Sequence, residues 1–263
     1  MLPIMNILDQ IVVKKRAAIE SRKSYIPIEA LQESISEITP TNAFAKNIQE
    51  SITKKGVAII AESKKASPSA GIISHHYDPA KIAQTYEHLG ASCISVLTEE
   101  DFFHGHHDHL IAVLQKINIP VLRKDFVIDP WQIFESKALG ADCILLIAAI
   151  LSDHQIQEFA ALSSSIGLEY LIEVHDEAEL LRVSDIPNAL IGVNNRNLKD
   201  FSVNLDTTLR IREKLDPAQL LISESGIKSK DDVAYLMQNG LNAFLIGESF
   251  MRDSSFLAAI TSD

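Results

Sequence analysis

From residue 57 onward, the chain alternates between short runs of consecutive apolar residues and longer segments in which apolar residues recur every three or four positions. Uninterrupted apolar runs are typical of parallel strands covered on both faces, and the three-to-four spacing predicts amphipathic helices. Eight runs predict strands at residues 57–61, 93–97, 120–123, 143–148, 169–173, 190–193, 220–223 and 243–246. They recur about every 20–35 residues, the interval that a strand and a crossover helix need.

Helices are predicted between these strands, at residues 79–89, 110–117, 130–139 and 153–162. Asp129 before Pro130 is a typical helix start, and Gly140 is a typical helix end. Candidate N-caps of the later helices are Asp176, Asp206 and Ser229. Eight alternating units predict an α/β fold that closes into a (β/α)8 barrel of the TIM type. A doubly wound sheet fits less well, because the chain has no Gly-x-Gly-x-x-Gly turn.

The first 45 residues lie outside this repeat. Their apolar positions predict two amphipathic helices, at residues 7–21 and 28–38, with Pro27 and Pro40 as breaks. We expect this helical extension to pack on the barrel and to cover one of its mouths. Residues 1–263 are then expected to form a single domain.

The formal net charge of −11 argues against binding to nucleic acid or to an anionic membrane surface. The longest apolar run, residues 143–151, is too short to span a bilayer, and the N-terminus lacks the pattern of a signal peptide. Cys93 and Cys143 each lie in an apolar stretch and predict buried, reduced thiols. We therefore expect a cytoplasmic protein, and a monomer.

Polar and charged residues stand where the predicted strands end. In a (β/α)8 barrel these ends meet at one mouth, where the chemistry of such enzymes lies. Glu62 and Lys64 are two positions apart, so an extended backbone directs both to the same side. The residues at the other strand ends are Lys124, Glu173, Asn194, Asn195 and Arg196. Any one of them alone is typical of a solvated rim, but their convergence predicts an active site.

Glycine-containing turns follow the last two predicted strands, at Ser225-Gly226 and at Gly247-Glu248-Ser249. Glycine lets backbone N–H groups approach an anion closely, and a short helix that starts near Ser249 would direct its positive end to the same place. Because phosphate groups commonly bind at this position of the fold, the two turns predict a phosphate site built mainly from backbone donors.

Seven segments extend this interpretation: AESKKASPSAG, SVLTEEDFFHG, PVLRKDFVIDPWQIFESKALGADCILLIAAIL, LIEVHDEAEL, GVNNRNL, SESGI and NAFLIGESFM. Taken in order, they resemble the motifs of the indole-3-glycerol-phosphate synthase family. The resemblance covers about residues 57–252 and extends to the N-terminal helices, which that family also has.

The resemblance implies a reaction of tryptophan biosynthesis, without cofactor or metal. In it, the small-molecule substrate 1-(2-carboxyphenylamino)-1-deoxyribulose 5-phosphate gives indole-3-glycerol phosphate, carbon dioxide and water. Lys124 matches the family's general acid and Glu173 its acid/base partner, and the remaining catalytic matches are Glu62, Lys64 and Asn194. Substrate-binding matches are Ser67, Phe103, Phe126, Arg196, Leu198, Glu224 and Ser225, and phosphate-binding matches are Ser67, Gly226, Gly247, Glu248 and Ser249.

This reaction needs an aromatic carbon to attack a ketone carbon while an acid protonates the ketone oxygen. We expect Lys124 to be that acid, with a pKa lowered by burial and by a second lysine nearby. Glu62 is expected to orient Lys124 or to limit the lowering, and Lys64 to hold the substrate carboxylate. Glu173 would exchange the later protons, and Asn194 would bond the reacting hydroxyl.

Two other functions stay open at this point. One is a different phosphosugar barrel enzyme, for example an isomerase that acts on phosphoribosyl anthranilate. The pair Glu62 and Lys64, together with Lys124 and the N-terminal extension, argues against it. The other is a barrel that binds anthranilate-like phosphates without catalysis, against which the acid/base set argues.

A dense histidine tract follows the second predicted strand, at His104, His106, His107 and His109. Histidine-rich tracts can bind metal ions. No cysteine or carboxylate at the spacing of a zinc site accompanies these residues. The tract therefore predicts a solvated loop and a helix start rather than a metal site.

Overall fold

The computed structural model describes residues 6–38, 43–197 and 201–261. Eight parallel strands form a closed barrel, in which each strand pairs with the next along the chain and the last pairs with the first. They are β1 (Ala58–Ser63), β4 (Cys93–Leu97), β5 (Val121–Lys124), β6 (Cys143–Ile147), β7 (Glu169–Val174), β8 (Leu190–Asn194), β9 (Leu221–Glu224) and β10 (Ala243–Ile246). The predicted (β/α)8 barrel is confirmed, with strand bounds within two residues of those expected.

Helices cover the outside and the two ends of the barrel. They are α1 (Ile7–Lys23), α2 (Ile28–Ile35), α3 (Ala43–Lys55), α4 (Pro79–His88), α5 (His107–Leu114), α6 (Pro130–Ala138), α7 (Asp153–Ser165), α8 (Glu177–Val183), α9 (Asp206–Arg212), α10 (Lys230–Gln238), α11 (Glu248–Arg252) and α12 (Ser255–Thr261). A small hairpin of β2 (Ala66–Ser67) and β3 (Gly71–Ile72) follows β1. None of the helices within the described ranges is long and apolar enough to cross a membrane.

Alternate residues of each strand face two different cores. In β1, Ala58 and Ile60 belong to the cluster that fills the barrel, whereas Ile59 and Ala61 belong to the layer between strands and helices. Both sets are almost fully buried. Because both faces of the sheet are covered in this way, the strands are continuous apolar runs in the sequence.

Three of the four predicted N-caps are confirmed. Asp129, Asp176 and Ser229 each accept a backbone N–H from the first turn of the helix that follows. Asp206 is not a cap, because α9 begins at Asp206 itself and Leu205 holds the cap position without a side-chain bond. The Asp206 carboxylate instead accepts the hydroxyl of Tyr235 at 2.7 Å.

The helix α3, which precedes β1 and which the sequence pattern did not predict, closes the end of the barrel opposite the mouth. Phe44 and Ile48 of α3 are buried in the cluster that fills the barrel. The backbone N–H groups of Phe44 and Ala45 donate to the Glu169 carboxylate, at 2.7 and 3.0 Å. Glu169 begins β7, so this carboxylate caps α3 and fixes it to the start of a strand.

The first helix, α1, covers the other end, as expected. Ile7, Leu8 and Ile11 line the cavity at the mouth. Further along α1, the Lys15 Nζ lies 2.7 Å from Asp125 Oδ1, and the Arg22 guanidinium pairs with Glu135. These pairs join α1 to the segment that follows β5, and they are largely or partly buried. The helix is therefore held over the mouth by buried charge as well as by apolar contact.

Candidate active site

A cavity of about 1010 Å³ lies at the carboxyl ends of the strands, roofed by α1. It collects the site residues predicted from the sequence, although they are spread over most of the chain. Lining it are Glu62, Lys64, Ser67, Phe103, Lys124, Phe126, Glu173, Asn194, Arg196, Glu224, Ser225, Gly226, Gly247, Glu248 and Ser249. Leu198 lies outside the described residues. The strand ends thus converge on one mouth, as the fold requires.

Lys124, the last residue of β5, lies between two carboxylates. Its Nζ donates to Glu224 Oε2 at 2.6 Å and to Glu173 Oε2 at 3.3 Å. Burial lowers the pKa of Lys124, but the charges of Glu224, Glu173 and Glu62 outweigh burial and hold that pKa well above its usual value. The expectation that its pKa is lowered is therefore wrong. Carboxylates contributed by three other strands surround this ammonium group and keep it protonated.

Glu173 is the carboxylate of the site whose negative charge is stabilised by the most neighbouring groups. Besides Lys124, its carboxylate accepts the Asn194 Nδ2 at 3.2 Å and lies 3.4 Å from the His175 Nε2. Burial raises the pKa of Glu173, but Lys124, His175 and Asn194 together hold it well below the usual range. Glu173 is therefore ionised and able to accept a proton once Lys124 moves toward a substrate.

Glu224, at the end of β9, has the opposite character. Burial and the charge of Glu173 raise its pKa to about 7, although Lys124 opposes this. Its second oxygen, Oε1, is buried and has no hydrogen-bond partner among the described residues. A Cβ at position 192 would lie 2.1 Å from that oxygen, so Gly192 of β8 provides the space that Glu224 occupies. Two neighbouring carboxyls with pKa values displaced in opposite directions are typical of an acid/base site.

Glu62 and Lys64 form the second charged pair, at the end of β1. The Lys64 Nζ lies 2.8 Å from Glu62 Oε1, which confirms that both side chains face the mouth. Burial raises the pKa of Glu62, but Lys64 and Lys124 outweigh burial, so the net pKa is below the usual value. A Cβ at position 247 would approach Glu62 Oε1 to 2.4 Å, so Gly247 makes room for this pair.

The two asparagines at the end of β8 have different surroundings. Asn194 bonds Glu173 at the mouth, whereas Asn195 is buried on the other side of the strand. The Asn195 Nδ2 donates to Ser223 Oγ at 2.9 Å and to the Glu224 carbonyl at 3.0 Å, and its Oδ1 accepts the Thr208 hydroxyl at 2.8 Å. Asn195 therefore stabilises the end of β9, which carries Glu224, rather than facing the cavity.

Polar groups near the glycine turns line another part of the cavity. Ser225 and Gly226 both have positive φ angles, 64° and 83°. At Gly247-Glu248-Ser249, α11 begins with Gly247 as N-cap. The Ser249 hydroxyl donates to the Ile227 carbonyl at 2.8 Å, so this hydroxyl is already used within the protein.

The charge of Glu248 is offset by a neighbour on its own helix. The Arg252 Nη2 and Nε donate to Glu248 Oε1 at 2.8 and 3.1 Å, and these bonds lower the pKa of the carboxyl. Burial opposes the shift, but the arginine outweighs it. The carboxylate is therefore already paired, which limits the repulsion it would exert on an anion at the turn.

An apolar wall faces these polar groups. The rings of Phe103 and Phe126 lie 6.1 Å apart between centroids, and the α1 residues Ile7, Leu8 and Ile11 line the cavity beside them. Such a wall suits the aromatic ring of a ligand. The lysines and the glycine turns suit anionic groups at the two ends of that ligand.

His175 lies behind Glu173 and is a site residue that the sequence motifs did not indicate. Its Nδ1 is 3.1 Å from Glu179 Oε2, and its ring is therefore enclosed by two carboxylates. Burial lowers the pKa of His175, but Glu173 and Glu179 raise it to about 10. The charged residue two positions after Glu173 was visible in the sequence, but its orientation depends on Glu179 of α8, which the sequence pattern does not place.

Comparisons with known proteins agree with this geometry. A family model described as indole-3-glycerol phosphate synthase matches residues 8–262. The chain is 45% identical over 247 residues to the indole-3-glycerol phosphate synthase of Polaromonas naphthalenivorans, covering 94% of each chain. It is 44% identical over 254 residues to that of Acinetobacter baylyi, covering 96% of this chain and 93% of the relative.

A solved structure with the same fold is that of monomers of the dimeric phosphoribosylanthranilate isomerase from Thermotoga maritima. It superposes with a TM-score of 0.56 over 78% of this chain and 96% of the other, with 8% sequence identity. At that identity the likeness concerns the barrel alone. It therefore gives no support to the isomerase alternative.

Proposed function

Because this chain belongs to the indole-3-glycerol phosphate synthase family, whose members are lyases of tryptophan biosynthesis, we propose that its barrel mouth carries out that family's reaction. The substrate is 1-(2-carboxyphenylamino)-1-deoxyribulose 5-phosphate, and the products are indole-3-glycerol phosphate, carbon dioxide and water. The observation that carries the proposal is the buried Lys124 ammonium, held 2.6 Å from Glu224 and 3.3 Å from Glu173.

Substrate binding uses the two ends of the cavity. The phosphate lies against the backbone donors of Ser225-Gly226 and Gly247-Glu248-Ser249, near Ser67. The aromatic ring lies between Phe103, Phe126 and the α1 residues, with Leu198 as a further expected contact. Lys64 pairs with the carboxylate of the ring, and such a charge-assisted bond contributes about 1.5–3 kcal/mol. Arg196, which also lines the cavity, adds a second cation near the substrate.

Ring closure begins when the aromatic carbon that bears the carboxylate attacks the ketone carbon, with electrons supplied by the ring nitrogen. Lys124 protonates the ketone oxygen as it becomes a hydroxyl. The raised pKa of Lys124 guarantees that the proton is present but makes it harder to release. Glu224 offsets this cost, because a carboxyl with a pKa of about 7 and a 2.6 Å contact to the ammonium can return a proton to Lys124.

Loss of carbon dioxide then returns electrons to the ring. Lys124, reprotonated by Glu224, gives a proton to the new hydroxyl, which leaves as water. Glu173, ionised and next to Lys124, removes the last proton and restores aromaticity. Asn194 bonds Glu173 and the reacting hydroxyl without changing the charge of the site, and His175 behind Glu173 keeps that carboxylate ionised. Glu62 holds Lys64 in place and adds to the negative field at Lys124.

The test is to incubate purified protein with this substrate, with chelator and without added cofactor, and to follow indole absorbance and fluorescence. Turnover in the wild type that is lost in Lys124→Ala supports the proposal. Tight substrate binding without turnover would support a non-catalytic barrel. Turnover of phosphoribosyl anthranilate instead would support the isomerase alternative.

We also propose that the protein acts as a cytoplasmic monomer. Cys93 and Cys143 are buried free thiols, and burial raises the pKa of both well above the usual value, as suits unreactive cysteines in a reducing compartment. Light scattering at working concentration tests the oligomeric state. A mass of two chains or more would contradict the monomer.

A further inference from the structure

The loop between β4 and α5 and the first residue of α5 bring together a second group of ligand-type side chains, Glu100, His106 and His107. One carboxylate oxygen and one nitrogen from each ring all lie within 4.8 Å of one another. In the part of the chain that the structure describes, this is the one group of three or more histidine, cysteine or acidic residues that meets this criterion. None of the three lines the cavity at the mouth. The group is therefore separate from the proposed active site.

The loop that carries this group is tightly built. The buried Glu99 carboxylate accepts three backbone N–H groups, from Asp101, Phe102 and Phe103, at 3.1, 2.8 and 3.0 Å. Gly105 donates its N–H to the Glu99 carbonyl at 2.7 Å, and a Cβ at position 105 would lie 2.5 Å from the Leu97 carbonyl oxygen. The backbone on both sides of Glu100 and His106 is thus fixed, which lowers the entropic cost of bringing ligands together.

The Asp108 carboxylate lies next to both rings, in the position from which carboxylates commonly orient metal-bound histidines. Its two carboxylate oxygens lie 3.2 Å from His106 Nδ1 and 3.5 Å from His107 Nε2. A carboxylate that accepts the N–H of one ring nitrogen leaves the lone pair of the other nitrogen free for a metal ion. The nitrogens left in this way are His106 Nε2, which lies 4.0 Å from Glu100 Oε1, and His107 Nδ1, which is buried and has no hydrogen-bond partner among the described residues.

In the structure as it stands, His106 Nδ1 also accepts the backbone N–H of Asp108 at 3.2 Å and so caps α5. A metal ion on Nε2 would shift the proton to Nδ1 and direct it to the Asp108 carboxylate. The helix cap needs the His106 tautomer with its proton on Nε2, whereas the metal ligand needs the tautomer with its proton on Nδ1. The Asp108 backbone N–H and the Asp108 carboxylate both lie 3.2 Å from Nδ1, so the carboxylate is within reach of that proton.

We propose that Glu100, His106 and His107 bind one divalent first-row transition-metal ion of the Zn²⁺ type. Two imidazole nitrogens and one carboxylate oxygen are a common donor set for such ions, with water in the remaining positions. The neighbouring Asp101 and Asp108 add negative charge that favours a cation. Because Phe103 lies in the same loop and lines the cavity, the bound ion stabilises one wall of the mouth without entering the chemistry.

The test is isothermal titration of tag-free, chelator-treated protein with ZnCl₂. The wild type is expected to bind one equivalent, and His106→Ala/His107→Ala to lose this binding. Glu100→Gln, an exposed change that cannot disturb the core, should weaken it. Asp108→Ala should weaken it by about 10- to 100-fold, the usual effect of losing a carboxylate partner behind a metal-bound histidine.

The control is His75→Ala/His76→Ala, which removes an adjacent pair of histidines elsewhere in the chain, both of them exposed. It should bind Zn²⁺ as the wild type does. Circular dichroism without metal checks that every variant is folded. The proposal is overturned if the wild type shows no saturable binding, if the His106/His107 variant binds as tightly as the wild type, or if the His75/His76 control loses the site. These results do not depend on the turnover assay, so the two proposals fail independently.

Discussion

Strand β5 carries two cations in succession, the buried Arg123 and the largely buried Lys124, and their surroundings differ. Arg123 faces outward, where it donates to Thr98 and Ser136 and pairs with Glu135 at 2.7 Å and Asp125 at 3.4 Å. Lys124 faces inward, where three carboxylates, from Glu62, Glu173 and Glu224, surround it. The outward network is closed by two further cations from α1, Lys15 and Arg22.

The two networks use the same kinds of groups for different ends. In the outward one, burial raises the pKa of Asp125, but Lys15 and Arg123 hold it far below the usual range, so the carboxylate stays ionised. In the inward one, Glu224 has a pKa near 7 and one oxygen without a partner. In the outward network each carboxylate is paired with a cation and holds the fold, whereas a buried carboxyl with a pKa near 7 beside a cavity is able to exchange protons with a substrate.

The largest expected effect is on activity, and it distinguishes Lys124 from its neighbour Arg123 on β5. Lys124→Ala should lower kcat by about 100- to 10,000-fold, the usual range for loss of a general acid. The variant should stay folded, because Glu224 can take up a proton and Glu173 keeps Asn194 and His175 as partners. Steady-state turnover by indole fluorescence measures the loss. Lys81→Ala, an exposed lysine on α4, is the control, and near-normal turnover in Lys124→Ala would remove Lys124 from its role.

The next effect concerns stability. Arg123→Ala should lower the free energy of unfolding by about 3–5 kcal/mol, because it leaves Glu135 and Asp125 buried with one cation fewer each. Urea denaturation followed by circular dichroism measures it. Arg123→Lys keeps the charge but loses the planar guanidinium group. Its free energy of unfolding should lie between those of the wild type and Arg123→Ala. A loss below 1 kcal/mol in Arg123→Ala would show that the outward network does not hold the fold in the way described here.

A third effect appears in the pH dependence of stability. His175 has a pKa of about 10 in the folded state and an ordinary value of 6.5, so its contribution is complete below about pH 6.5 and is lost as the pH rises toward 10. His175→Asn should lower the free energy of unfolding at pH 6 by about 1.5–3 kcal/mol, as for bonds to a charged group.

The difference between the His175→Asn variant and the wild type should shrink as the pH rises from 6.5 to 10. Denaturation curves at several pH values measure it. The control is His154→Asn, which changes a histidine whose side chain is 88% exposed. A constant difference across this range would contradict the charged state assigned to His175.

The smallest effect compares adjacent lysines of α1. Lys15 is buried against Asp125, and Lys15→Ala should cost about 1–3 kcal/mol of stability, because it removes one partner of a buried acceptor. It should also raise KM, since α1 roofs the cavity. Lys14 pairs with Asp101 at the surface, and Lys14→Ala should cost about 0–1 kcal/mol and leave KM unchanged. Equal effects of the two changes would contradict the role assigned to Lys15.

Much of this arrangement follows from local sequence. The strands and most helices are visible as apolar runs and helical spacing, and the fold then brings Glu62, Lys124, Glu173 and Asn194 to one mouth. The helix α3 was also visible, since Phe44, Ile48 and Ile52 recur every four residues. It was missed because it precedes the repeat, where the pattern of strands offers no guide.

The pKa values and the outward network depend on contacts between distant parts of the chain. Lys124 and Glu224 are 100 residues apart in sequence, and their 2.6 Å contact reverses the expected shift of the lysine. Lys15 and Asp125 likewise meet only in the folded chain. Sequence pattern places a residue at a strand end, but the sign of its pKa shift depends on which partners reach it from other strands.

The most direct test of this account measures kcat per folded molecule for Lys124→Ala and Arg123→Ala side by side, with the folded fraction of each determined by circular dichroism at the assay temperature. We expect Lys124→Ala to lose about 100- to 10,000-fold and Arg123→Ala to stay within a few-fold of the wild type. Comparable losses per folded molecule in both variants, or normal turnover in Lys124→Ala, would contradict the division of the two networks into one that holds the fold and one that performs the chemistry.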